Sequence, residues 1–261
     1  MEIHYPGEHL LPGSIGHIFV ILAFVSCLFA VWSFYQSDKN HDNLPWLKLS
    51  GIFYNIHFVS IIGIISSLFY IIFNHYYEYS YAYNHSSDDL PLRYIFSCFW
   101  EGQEGSFLLW AFWNSLLGLV LLSYNKFQVR AVMAVFCSIQ VLILSMLLGI
   151  YPFGLQIGSD PFSLLRENPE MAYAPIFTNA NYTSLINGTG LNPLLQNYWM
   201  TIHPPTLFLG FAALHVPFSF AMASLWKKEY LNWIKPALPW FLFGVMILGT
   251  GILMGGAWAY E

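Results

Sequence analysis

The sequence predicts an all-α integral membrane protein with six transmembrane helices, both termini outward and two long outward loops. Three observations carry this. Of 261 residues, 57% are hydrophobic and 9% charged, where an ordinary soluble domain carries about 25% charged residues. Six stretches are long enough to cross a hydrocarbon core, which needs about 20 apolar residues. The basic residues split seven against two between alternate loops: Lys39, Lys48, Lys126, Arg130, Lys227, Lys228 and Lys235 against Arg93 and Arg166. The richer side is the inward one by the positive-inside rule. Eleven of the fourteen acids fall outward, and a net charge of -5 argues against a nucleic-acid partner.

The first span, Ser14–Phe34, lacks the basic start and small-residue cleavage site of a signal peptide. The second, Leu49–Phe73, carries Asn55 and His57 in an Ile- and Phe-rich run. Polar and ionisable groups in a span are expected to face the bundle interior, where His57 can serve as an interhelical hydrogen-bonding group or as a ligand. The first outward loop, Asn74–Glu104, is dense in tyrosine (Tyr76, Tyr77, Tyr79, Tyr81, Tyr83) before His85, which suits an aromatic belt at the membrane surface. It runs into Trp100-Glu101-Gly102-Gln103-Glu104-Gly105 and the third span, Gly105–Tyr124, with Trp110 one turn further in. Gln103 and Glu104 at that helix mouth either complement its dipole or grip a polar ligand group.

The fourth span, Val129–Ile150, leads to the second outward loop, Tyr151–His203, whose length and five prolines point to a functional segment. The fifth, Thr206–Trp226, contains His215, and the sixth, Ala237–Tyr260, ends in Gly255-Gly256-Ala257-Trp258, where glycines allow close helix approach. Nothing divides the chain, so residues 1–261 read as one membrane domain. Cys27, Cys98 and Cys137 lack metal-like spacing and read as small buried apolar residues. The three Asn-x-Ser/Thr sequons in the outward loops arise easily by chance.

Where the second loop meets the fifth span stands His203-Pro204-Pro205. Proline lacks a backbone donor and suits a first helical turn, so the pair is expected to start the helix, with His203 extended just before it. A histidine so placed, at the water–membrane boundary, can present an axial ligand to haem. It can equally do no more than satisfy polar groups at the helix start. His203 and His215 cannot share an iron, because twelve helical residues rise about 18 Å.

Four segments in order resemble the amino-terminal portion of the CcmF-type cytochrome c maturation haem lyases, within the wider haem-handling family that includes CcsA. They are Gly16-His17; Tyr81-Ala82-Tyr83 through His85-Ser86 to Leu90-Pro91; Trp100 through Glu104-Gly105-Ser106 to Trp110; and Asn192-Pro193-Leu194-Leu195-Gln196 with Ile202-His203-Pro204-Pro205. The ending Pro239-Trp240 through Gly255 to Glu261 extends the match over nearly the whole chain, while Glu101 and Phe107 stand where the family prefers glycine and leucine.

The resemblance implies that His203 is the first of two outward histidines ligating haem iron. Trp100, Gln103, Glu104, Trp110 and His85 then become candidates for the haem or substrate surface. It implies haem b as the bound group, apocytochrome c as acceptor, a haem-delivery chaperone and other maturation proteins as partners, and a bacterial or mitochondrial inner membrane. In the family a Trp-rich haem platform follows the equivalent of Glu261. The chain is thus expected to be an amino-terminal fragment of a larger haem-handling protein, or one piece of a split system completed by a second polypeptide. Two other classes fit the residues: a haem-exporting or haem-relaying transporter, and a haem-b electron-transfer subunit using His57 and His215 as opposed ligands.

Overall fold

The computed structural model describes residues 4–40, 44–124, 127–169 and 171–261. Its helices, in chain order, are α1 (Leu10–Lys39), α2 (Leu44–Phe73), α3 (Ser80–His85), α4 (Leu92–Glu101), α5 (Gln103–Tyr124), α6 (Val129–Ser145), α7 (Tyr198–Lys227) and α8 (Ile234–Trp258). Five of these, α1, α2, α5, α7 and α8, are long and apolar enough to cross a membrane, and α6 is a shorter apolar helix. The chain is an integral, multi-pass, all-helical membrane protein.

The bundle is sorted as lipid demands. Large apolar side chains point outward, among them Leu11, Ile18, Val59 and Leu253. Small and weakly polar residues lie between helices: α1 buries Gly16, Ala23, Ser26, Cys27, Ala30, Ser33 and Ser37 at three- and four-residue spacing. With lipid tails as apolar as leucine, close backbone approach and dispersion replace the hydrophobic effect as the force between spans. Cys27, Cys98 and Cys137 are buried and form no disulfide, and the Cys27 thiol donates to the Cys137 carbonyl at 3.5 Å.

Two expected elements differ. The fourth span stops at Ser145, 17 residues long, because the chain tightens there into three-residue turns (Met146 N–H to Ile143 carbonyl, Leu147 N–H to Leu144 carbonyl) and reverses at Gly149 with φ +57°. The fifth begins at Tyr198, not at Pro204. Asn197 caps it, its side chain accepting from the Trp199 N–H at 3.0 Å. His203 is therefore helical, with Pro204 and Pro205 inside the helix, and the second loop ends at Asn197.

The two long loops are built structures at one end of the bundle. The first holds α3 and α4, and the second a series of 3-10 turns between Pro152 and Leu195. They pair directly, Ser80 N–H donating to the Ser163 carbonyl at 2.9 Å and Leu165 N–H to the Glu78 carbonyl at 2.7 Å. Both are anchored on α1. The Tyr79 ring lies against Gly13, its hydroxyl donating to the His9 carbonyl at 2.7 Å and accepting the Gly13 N–H at 3.0 Å. Phe162 fills the space that a side chain at Gly16 would need. Leu165, Phe177 and Tyr182 form a second small core with Tyr5. The opposite end joins α1, α6 and α7 through Lys227–Asp38 at 2.8 Å and Arg130 to the Ser37 carbonyl at 2.9 Å. Lys126, counted in the charge asymmetry, lies outside the described residues.

Candidate functional site

His203 sits on the second turn of α7 and faces α8 rather than solvent. Its Nδ1–H donates to the Gly251 carbonyl at 2.8 Å, and its ring stands edge-on to Trp258, centroids 6.0 Å apart. Gly255 makes the approach possible: a Cβ there would come within 2.8 Å of the imidazole Cε1. The same antiparallel register continues down the helix pair, with Leu207 against Gly251 and Leu214 against Gly244. A neutral imidazole that donates from Nδ1 carries its lone pair on Nε2. A carbonyl fixing one ring nitrogen while the other remains a Lewis base is the usual arrangement behind a metal-ligating histidine. The donor chemistry at His203 thus suits haem iron.

The other candidates do not converge on His203. Trp100 donates its indole N–H to the Met200 carbonyl at 2.9 Å, which places α4 against the first turns of α7. Gln103 is exposed. Glu104 accepts a hydrogen bond from Ser159, tying the α5 mouth to the second loop rather than to a histidine. His85 donates from Nδ1 to Glu101 at 3.1 Å, and Glu101 also takes the Asn192 N–H at 3.4 Å. Glu101 thus holds His85 to the second loop. Trp110 lies deeper in the bundle, stacked on His215 at 5.4 Å and packed against Phe211 at 5.6 Å. His215 is a helical rise of about 18 Å from His203, so Trp110 and His203 belong to different layers.

The motif from Trp100 to Ser106 is a joint between two helices. The Tyr81 hydroxyl donates to the Phe99 carbonyl at 2.8 Å and accepts the Gly102 N–H at 3.2 Å, bridging the break between α4 and α5. Gly105 is the one residue type that lets α5 pass the Phe99 carbonyl. Gly16-His17 is likewise an anchor: beside Phe162 on Gly16, His17 donates to Asp160 at 3.1 Å. Burial raises the Asp160 carboxyl above its ordinary value, opposed by the Phe162 N–H and by His17. Burial and then Glu8 push the Tyr182 phenol well above its usual range.

Within the membrane layer, sequence reasoning named the ends of a hydrogen-bonded chain and missed its middle. His57 donates from Nδ1 to the Ala23 carbonyl at 3.1 Å and accepts at Nε2 from Gln140 at 3.0 Å. Gln140 gives its second N–H to the Ala111 carbonyl and accepts from Asn114 at 2.8 Å. Asn114 in turn accepts from His215 Nδ1 at 3.0 Å. Both nitrogens of His57 are engaged, so it cannot pair with His215 as an opposed haem ligand. Asn55, expected inside, is exposed, since two residues turn a helix side chain to another face. Gln140 and Asn114 were legible as amides stranded in apolar spans, the same signal that marked His57.

Comparison with known proteins agrees with this fold. Residues 100–261 match the family described as cytochrome C assembly protein. The chain is 29% identical over 241 residues to the cytochrome c-type biogenesis protein CcmF of Haemophilus influenzae, covering 90% of the chain and 33% of that protein. It is 32% identical over 191 residues to CcmF of Pseudomonas aeruginosa, covering 70% of the chain and 25% of that protein. The solved structure of the cytochrome c haem lyase CcmF superposes on the whole chain and on 38% of its own length, with a TM-score of 0.75 at 22% identity. The chain thus spans a third or less of the length of these curated relatives. On the sequence match from Trp100 to Glu261, the chain belongs to the cytochrome c assembly protein family.

Proposed function

We propose that this chain acts in cytochrome c biogenesis as the part of a haem lyase that presents haem b at the outer membrane face, with His203 as an iron ligand. The observation that carries this reading is the Nδ1–H bond from His203 to the Gly251 carbonyl, which keeps Nε2 as the ligating nitrogen. Bound haem supplies vinyl groups across which the two apocytochrome c thiols add, S bonding to carbon and the proton passing to the neighbouring carbon. The nucleophiles are the substrate's. This chain contributes orientation: Gly251 fixes the tautomer, Gly255 gives the ring its place, and Trp258 flanks it. The outer face carries the two built loops, suited to meet apocytochrome c, a haem-delivery chaperone and further maturation proteins. The membrane is a bacterial or mitochondrial inner membrane, inward at the Lys- and Arg-rich end.

In cells that depend on this protein for cytochrome maturation, His203→Ala is expected to abolish haem-stained cytochrome c while the chain still inserts, and added imidazole to restore it in part. His215→Ala is expected to be milder. Wild-type maturation by His203→Ala, or a greater defect in His215→Ala, overturns the assignment. Haem recovered unchanged from the outer face, with none covalently attached to apocytochrome, would favour a relay over a lyase.

A further inference from the structure

Pro204 and Pro205 lie inside α7 and have no N–H to give. The carbonyls four residues earlier, those of Met200 and Thr201, therefore lose their intrahelical donors. Met200 is buried, and an unpaired carbonyl in apolar surroundings is costly. The Trp100 indole meets that need, its Nε1–H reaching the Met200 carbonyl at 2.9 Å. The contact is one of a row. The Tyr94 hydroxyl donates to the Gln196 carbonyl at 2.9 Å, and Ser97 Oγ lies 3.5 Å from Thr201 Oγ1. Residues 94, 97 and 100 share one face of α4 by their spacing, and that face clamps the opening of α7. Met200 precedes His203 by three residues, so the clamped turn is the one that sends the imidazole toward Gly251 and Gly255.

We propose that Trp100 is a positioning residue for haem handling: it supplies the donor that Pro204 removes and so holds the turn that aims His203. Its N–H is committed to this task. The proposal rests on the reading of His203 as iron ligand, and the test separates the two.

The full chain is assayed in cells that require it, as mature cytochrome c per membrane-inserted chain. Trp100→Phe keeps an aromatic ring and deletes the N–H, and is expected to lower the yield roughly five-fold or more, the effect of stranding a buried carbonyl. Pro204→Ala gives residue 204 an N–H that can reach the Met200 carbonyl within the helix. In that background Trp100→Phe is expected to cost less than about twofold, because the carbonyl already has a partner. Equal losses in both backgrounds would mean that the indole acts by packing or by touching haem, and would overturn the proposal. So would full maturation by Trp100→Phe where His203→Ala abolishes it. Should Pro204→Ala alone be inactive, Trp100→His decides, since its ring carries an N–H: recovery above Trp100→Phe supports positioning, and none overturns it. If His203→Ala itself matures cytochromes normally, the ligand reading fails and the proposal falls with it for that separate reason.

Discussion

A single side chain on α6, Gln140, joins α2 to α5 through two side chains and a backbone carbonyl and shows what burial asks of a polar residue in a membrane. It uses both N–H groups and its carbonyl, on His57, the Ala111 carbonyl and Asn114. Gln140→Leu should leave His57 Nε2 without a donor and the Asn114 amide without its acceptor. The expected cost is about 1–2 kcal/mol, at the upper end for polar contacts between spans, read as a lower midpoint in detergent unfolding. A variant as stable as wild type would mean that lipid or water serves those groups. His57 was legible because an ionisable residue in an apolar run must have a reason to be there. Its partners were not, because sequence gives the depth of a side chain but not its neighbour across a helix interface. His203 was expected in an extended conformation and is helical, since Asn197 caps the helix six residues earlier and Trp100, on another element, bonds the Met200 carbonyl.

At the level of elements, long apolar runs read directly as helices, and the errors fell where tertiary contacts override local preference. A proline pair ordinarily marks a helix start, yet α7 begins six residues before Pro204 because Asn197 caps it and α4 serves a carbonyl the prolines abandon. The outward loops read as an aromatic belt and a functional segment, but their docking on α1 through Gly13 and Gly16 did not show in the sequence. A side chain at residue 16 must displace the Phe162 ring, so Gly16→Val is expected to destabilise docking of the second loop by about 1–3 kcal/mol. Limited proteolysis should then cut between residues 151 and 197 several-fold faster, with the spans still protected. Unchanged cleavage would show that Phe162 is not what holds the loop.

For the whole molecule, the described basic residues that set the expected orientation gather at the end where Lys227 meets Asp38, and both long loops gather at the other. Reporter fusions at Asn40 and Glu229 are expected to give an inward signal, and fusions at Ser87 and Asn179 an outward one. Asn125, which the charge count also puts inward, lies outside the described residues. An outward signal at Asn40 would reverse the topology. The path from the Ala23 carbonyl to His215 has a consequence for how such a bundle assembles. Each of its four side chains can be set two ways, by ring tautomer or amide flip, but the carbonyls of Ala23 and Ala111 only accept and so dictate one joint setting. Slip α6 by a turn and Gln140 gives way to Cys137 or Leu144, leaving the groups of His57 and Asn114 unpaired in a medium with no water to mediate. The chain thus works as a keyed joint: a mis-threaded intermediate is penalised at once in the middle of the membrane, before any loop closes over it.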